Sequence, residues 1–272
     1  LYRKLTDRFA EASAAPFDFA VVDEAQDLSI PQIRFVAALG AGRRNALFFA
    51  GDLGQRIFQQ PFPWKSLGVD VRGRSHTLRV NYRTSHQIRS QADRLLDSEV
   101  SDADGAREDR TDTISLFNGA PPLVQSFDRA EDEIAAAAEW ISQHAKAGVA
   151  PQEFGVFVRS AAELPRAIAA VKKAGLPFTV LDDSVDGEDD HVSIATMHLA
   201  KGLEFRAVAV MACDDEIIPL QERIETVGDD ADLQEVYATE RHLLYVACTR
   251  ARDHLLVTSV SPTSEFLDDL RK

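Results

Sequence analysis

The chain has 272 residues, 45% of them apolar and 27% charged, enough for one large or two ordinary globular domains with a sizeable core. Its 44 acidic residues outnumber 30 basic ones, a formal net charge of −14, which excludes a generally basic polyanion binder and requires any nucleic-acid contact to be local. Its apolar runs fall far short of the roughly 20 residues of a membrane span. No apolar leader follows Leu1-Tyr2-Arg3-Lys4, which points to a cytoplasmic protein and to a chain that starts within a longer one. Cys213 and Cys248 form no CxxC pair, so neither a disulfide framework nor a cysteine metal site is supported.

In chain order, residues 17–22 form a short apolar run that stops at acidic residues, and residues 30–39 follow a helical pattern that closes near Gly40. Residues 46–50 make a second apolar run, ending in Gly51-Asp52. Runs that each stop at a polar loop fit parallel strands. Residues 80–85 lead into a helix extending through Leu96. The stretch 98–119, rich in Asp, Ser, Arg and Gly, reads as a linker and divides the chain into domains 1–118 and 119–272. Beyond it, strands are predicted at 122–127, 154–158, 177–181, 192–196, 207–211 and 254–258, with helices at 130–147, 161–174 and 233–251. This alternation predicts an α/β fold with a mostly parallel sheet, whose ligands sit at the carboxyl ends of the strands.

The polar residues at those strand ends carry the chemistry. Asp23-Glu24-Ala25-Gln26-Asp27 offers one carboxylate for a hard cation such as Mg²⁺ and a second to take a proton from water, or simply an acidic helix start. In Gly51-Asp52-Leu53-Gly54-Gln55, the glutamine can reach a terminal phosphate or orient a water, or the segment is only a turn. Asn81-Tyr82-Arg83-Thr84-Ser85 sets a bidentate donor, Arg83, at the foot of a helix capped by Thr84 or Ser85. The segment from Thr196 and His198 through Lys201, Gly202 and Glu204 combines a close-approach glycine with polar groups. Arg241, Tyr245 and Arg252 recur at roughly helical spacing, so Arg250 either belongs to a solvated basic face or stabilises a γ-phosphate.

Taken together and in this order, the five motifs resemble the UvrD/Rep-like branch of the superfamily-one DNA helicases: Asp-Glu-Ala-Gln-Asp, Gly-Asp…Gln…Ile-Phe, Asn-Tyr-Arg-Thr, Thr-Met-His…Lys-Gly-Leu-Glu-Phe and Tyr-Val-Ala-Cys-Thr-Arg-Ala. The resemblance spans residues 18–260. It implies two RecA-like parallel-sheet domains, the first incomplete and the second complete, that clamp ATP between them and move along single-stranded DNA in the 3′ to 5′ direction. It assigns Asp23 to Mg²⁺ and Glu24 to the general base. Gln55, Arg83 and Arg250 fall to the γ-phosphate, and Glu204, with Gly202 beside it, to the ribose and β/γ-phosphates. Phe58, Trp64, Thr196 and His198 are placed on the DNA path, where stacking and phosphate contacts are expected.

Three departures accompany the resemblance. No Gly-x-x-x-x-Gly-Lys-Ser/Thr occurs in the 272 residues, so the phosphate-binding loop is expected on a preceding portion of the same protein and this chain alone is expected to be inactive. The rival reading is a non-catalytic scaffold that binds DNA or protein. Only about 70 residues separate Pro122 from Ile194, leaving room for no inserted helical domain beyond a loop at 184–190. After Phe58, Gln59-Gln60-Pro61-Phe62-Pro63-Trp64 replaces the family's Trp-Arg-Gly, so either Phe62 or Trp64 could take over base stacking.

Overall fold

Phe154–Val158 is buried at every position, the mark of a strand covered on both faces. In this computed structural model, which describes residues 2–10, 17–52, 55, 57, 63–71, 73–96, 99–101, 107–109, 113–182 and 189–272, that strand (β8) lies inside a six-stranded sheet. With β7 (Leu123–Phe127), β9 (Phe178–Val180), β10 (Val192–Thr196), β11 (Phe205–Val210) and β12 (Ala251–Val260), the order is β7-β12-β11-β8-β10-β9 and every pairing is parallel. The α/β class expected from alternation is therefore observed.

Two helices cover one face of the sheet. α4 (Ala130–Lys146) opens with Glu131, Asp132 and Glu133 and closes with His144 and Lys146, a charge order that suits the helix dipole. α5 (Leu164–Ala174) ends at Gly175, whose φ of 77° is the left-handed cap that glycine adopts without strain. Ala137, Trp140 and Ile141 of α4 and Ala167, Ala170 and Val171 of α5 pack on Val156, Val158, Ile194, Ala207 and Ala209 of the sheet. α7 (Asp230–Cys248) starts where Asp229 accepts the N–H groups of Ala231 and Asp232, both at 2.9 Å, and packs on β11 and β12.

The helix expected at 233–251 is thus shifted: it begins at Asp230 and stops at Cys248. Thr249 turns the chain, its N–H bonded to Tyr245 and Ala247 carbonyls. Ala251 already belongs to β12, because the run from Leu255 to Thr258 needs a buried place beside β11. Arg252 accordingly lies on a strand, so of the spacing Arg241, Tyr245 and Arg252 only the first two share a helix.

Packing divides the chain into Leu1–Leu78 with Glu99–Thr111, and Arg79–Ser98 with Asp112–Lys272. That differs from a single cut at 118/119. Residues 79–96 side with the larger unit because their backbone is tied there. β3 (Val80–Asn81) pairs in parallel with β6 (Ile114–Ser115), and the Ser85 N–H donates to the Arg252 carbonyl at 3.1 Å. α3 (His86–Ala92) contacts α7 and the C-terminal α8 (Phe266–Arg271). The polar stretch 98–119, read as a linker, holds β6 and also an antiparallel pair, β4 (Glu99–Ser101) with β5 (Arg107–Asp109).

In the smaller unit, α1 (Tyr2–Ala10) lies against α2 (Ile30–Gly40). β1 (Ala20–Val22) pairs in parallel with β2 (Leu47–Phe49). Phe19, Val21 and Phe48 stand exposed at 68, 65 and 63%, an uncovered apolar sheet face. Among the described residues no helix is long and apolar enough to cross a membrane.

The carboxyl ends of β11 and β12 are held by a buried carboxylate. Glu133, fully buried, accepts the Thr258 hydroxyl at 2.7 Å and the Ala212 N–H at 2.9 Å through one oxygen. Its other oxygen takes the Arg166 guanidinium, which continues to Asp214 at 2.6 Å. Glu133→Ala strips Arg166 of this partner and orphans two further donors, so it is expected to lower unfolding free energy by about 3–5 kcal/mol. Denaturant unfolding measures it. A loss within experimental error of zero would mean that water replaces the carboxylate freely.

Candidate functional site

In the larger unit the site begins with a turn. The Asn81 side-chain oxygen accepts the N–H groups of Arg83 at 2.8 Å and Thr84 at 3.0 Å, an Asx turn that leaves Tyr82 and Arg83 exposed. Ser85, rather than Thr84, caps α3 by accepting from Ile88. The Thr84 hydroxyl donates to the Thr249 carbonyl at 3.4 Å. These ties set Arg83 beside the loop that follows β10.

That loop holds the next residues. β10 ends at the half-buried Thr196, and Met197–Ala200 forms one 3-10 turn. Gly202 sits at φ 82°, a conformation that disfavours any side chain, with open space around it. Just past it, the Glu204 carboxylate accepts the Arg83 Nε–H at 2.8 Å, both side chains remaining almost half exposed. One residue earlier, the Leu203 carbonyl accepts from Arg250 at 3.3 Å. Arg83, Glu204 and Arg250, scattered over 167 residues, therefore meet around one short loop.

Arg250 is not on a solvated face: it is 1% exposed and also donates to the Val246 carbonyl at 3.0 Å. Its guanidinium is held by the Val246 and Leu203 carbonyls and the Thr249 hydroxyl. His198 is half-buried, and burial, followed by the positive charge of Arg159, holds its imidazole below the ordinary histidine range.

In the smaller unit the two acidic loops lie side by side at the carboxyl ends of β1 and β2. Glu24 adopts φ 50°, ψ 40°, left-handed and uncommon for a residue with a side chain. Its N–H donates to Asp23 Oδ1 at 2.9 Å. The carboxamide of Gln26, only 7% exposed, donates to Glu24 Oε2 at 2.5 Å and accepts the Asp52 N–H at 3.1 Å. Gln55 donates to Asp52 Oδ2 at 2.7 Å. Asp23, Glu24 and Gln55 are thus joined through Gln26 and Asp52. The exposed Asp23 carboxylate at a strand end is the oxygen chemistry a hard divalent cation takes. Trp64 packs edge-on against Phe49, ring centroids 5.1 Å apart. Phe58 and Phe62 lie outside the described residues, as does most of the loop at 184–190.

Comparison with known proteins decides the lineage. Residues 1–60 match the UvrD/REP helicase N-terminal domain and residues 182–262 the UvrD-like helicase C-terminal domain, together just over half of the chain. The chain belongs to the UvrD/REP-like helicases. A Mycoplasma pneumoniae protein named a probable DNA helicase is 26% identical over 255 residues, 90% of this chain and 44% of that protein. The ATP-dependent DNA helicase PcrA of Staphylococcus aureus is 41% identical over 84 residues, 31% of this chain and 11% of its own length. A solved structure, the C-terminal domain of a possible DNA helicase from Lactobacillus plantarum, overlays with a TM-score of 0.48 at 22% identity, covering 70% of this chain and 94% of that one. The chain spans under half the length of the curated relatives it matches.

Two residues, one in each unit, escaped the sequence reading. Asn81 builds the turn that presents Arg83, and an Asn two residues before an exposed polar side chain is the signal that could have revealed it. Gln26 was visible only as one letter of an acidic motif. Nothing local says that its amide bridges two loops 26 residues apart. The bridge also explains Gly51, where a Cβ would run into the Gln26 side-chain oxygen. Gly51→Ala is therefore expected to destabilise the smaller unit by about 1–3 kcal/mol. Chemical denaturation with a probe at Trp64 reads it, and an unchanged midpoint would show that the bridge yields at no cost.

Proposed function

We propose that this chain is part of an ATP-driven, single-stranded DNA motor, a helicase or translocase of 3′ to 5′ polarity that works in the cytoplasm. The observation that carries the reading is the 2.8 Å pairing of Arg83 with Glu204, next to the loop carbonyl that receives Arg250. Three residues of three separate motifs share one loop, which a scaffold would have no chemical reason to assemble.

Each side chain has a role in this reading. Asp23 holds Mg²⁺, and Glu24, steadied by Gln26, takes the proton of the attacking water. Gln55 orients that water or the terminal phosphate, while Arg83 and Arg250 receive the γ-phosphate oxygens. Glu204 accepts from the ribose, and Gly202 sets the backbone that brings it there. The metal, when bound, neutralises charge on the β- and γ-phosphate oxygens. Thr196 and His198 lie on the DNA path together with Phe58 and Trp64. The contact of Trp64 with Phe49 suits an aromatic held in place for stacking. Arg83 is paired with Glu204, so a phosphate has to compete with that carboxylate for it.

The phosphate-binding loop belongs, in this reading, to a further portion of the same protein. The 272-residue chain by itself is therefore expected to hydrolyse ATP at background, with or without DNA, and robust DNA-stimulated turnover by the purified chain would overturn that division of labour. In the full-length protein, Glu24→Gln should retain nucleotide binding and slow turnover by about 10² to 10⁴-fold. Steady-state ATPase assays with nucleotide affinity measured in parallel test it. A rate within a few-fold of the unsubstituted protein would remove Glu24 from the base role.

A further inference from the structure

A second buried carboxylate sits beneath the Thr196–His198 segment, and its charge does not balance. Glu240 of α7 is fully buried. It takes the whole fork of Arg159, at the end of β8, with Nε and Nη2 each 2.6 Å from its two oxygens. The Leu220 N–H reaches the same carboxylate at 3.4 Å. Arg159 alone would neutralise it, being 4% exposed and bidentate. Yet a second guanidinium arrives: Arg223, on the short helix α6 (Gln221–Glu225), donates Nη1 to Glu240 Oε1 at 2.9 Å. Two cations face one anion.

Arg223 differs from Arg159 in having an outer edge. Its side chain is 38% exposed, and one of its three nitrogens is engaged by a described residue. Half-buried His198 stands close enough for Arg159, Glu240 and Arg223 all to act on its ring, and its own nitrogens have no hydrogen-bond partner among the described residues. Glu222 and Glu225 lie on the same short helix, and Gln221 occupies Glu225 at 3.5 Å. The second guanidinium at Glu240, with its outer edge exposed, and the half-buried imidazole close by together form a receptor for a tetrahedral oxyanion. In a chain of net charge −14, such a spot is where a polyanion can dock.

We propose that Arg223 is a phosphodiester contact for single-stranded DNA, its guanidinium shared between Glu240 and one backbone phosphate beside His198. The proposal rests on the DNA-motor reading and adds a residue to it. Arg159 takes no part in the contact: its role is to fix Glu240, and Glu240 fixes Arg223. Arg223, with its exposed outer edge, supplies the charge.

The 272-residue chain, nucleotide-free, is titrated with a fluorescent oligothymidylate at several salt concentrations, with the thermal midpoint recorded for each variant. Each neutralised phosphate contributes roughly −0.7 to the slope of log affinity against log salt on single strands. Arg223→Gln leaves Arg159 and Glu240 as a balanced pair, so it is expected to fold, to lower affinity several-fold at low salt, and to flatten the slope by about 0.7. Arg223→Lys keeps the charge and should keep the slope. An unchanged slope in Arg223→Gln, with only a lower thermal midpoint, would overturn the proposal and reduce Arg223 to a partner of Glu240, leaving the DNA-motor reading intact. Displacement of the oligonucleotide by millimolar inorganic phosphate at constant ionic strength would also overturn it, in favour of a free-phosphate site. A folded wild-type chain that binds no oligonucleotide at low salt would instead defeat the DNA reading itself, and this inference with it.

Discussion

Removing a carboxylate from water costs several kcal/mol unless its oxygens are matched by donors, and the larger unit places two such carboxylates at the carboxyl side of its sheet. Glu133 reaches from α4 to the ends of β11 and β12, and Glu240 reaches from α7 to the end of β8. Each is matched on both oxygens, chiefly by arginine. Because a partial match would be worse than none, the elements that carry these groups have little freedom to slide. The carboxyl end of β10, where Thr196 and His198 stand, lies on that side of the sheet, whereas Glu204 directly precedes β11 at the opposite end.

The smaller unit faces a different problem and meets it with a neutral group. Glu24 is exposed, so its carboxylate needs aim rather than charge compensation. Gln26 supplies the aim through one amide hydrogen bond and uses its carbonyl to hold the neighbouring loop at Asp52. An amide can donate and accept at once, which no carboxylate or ammonium does. That dual capacity explains why glutamine fits between two acidic loops, and why glycine is needed at position 51 to admit it.

Much of this was legible beforehand. The six strands of the larger sheet were predicted within a few residues, because continuous apolar runs with turns between them leave little choice but buried parallel strands. The two helices on one face were legible from their periodicity. The end of α7 was not: Leu243 to Cys248 and Ala251 to Val257 are both apolar, and only pairing with β11 shows where helix gives way to strand. Equally hidden was the grouping of residues 79–96 with the larger unit, which depends on bonds such as Ser85 to Arg252 that cross more than 160 residues. Among the candidate residues the types were readable as motifs, and Asn81 acts on its near neighbours, whereas Gln26, Arg159 and Glu240 act through long-range contacts with no periodicity.

The net charge shows the same limit from another side. At −14 the chain looks unsuited to a polyanion, and the count of arginines does little to change that, because most in the larger unit are already committed. Arg166 serves Glu133 and Asp214, Arg206 serves Glu153 and Asp253, Arg241 serves Asp269, and Arg252 serves Asp253. Arg250 is bound by main-chain oxygens. What governs attraction at short range is the balance within each cluster, since salt screens charges beyond roughly 8–10 Å. Around Glu240 the balance is positive, and the surplus lies under the segment where the family resemblance puts the DNA path. An acidic protein can in this way hold an acidic polymer, provided that a local surplus of positive charge stands where the polymer passes.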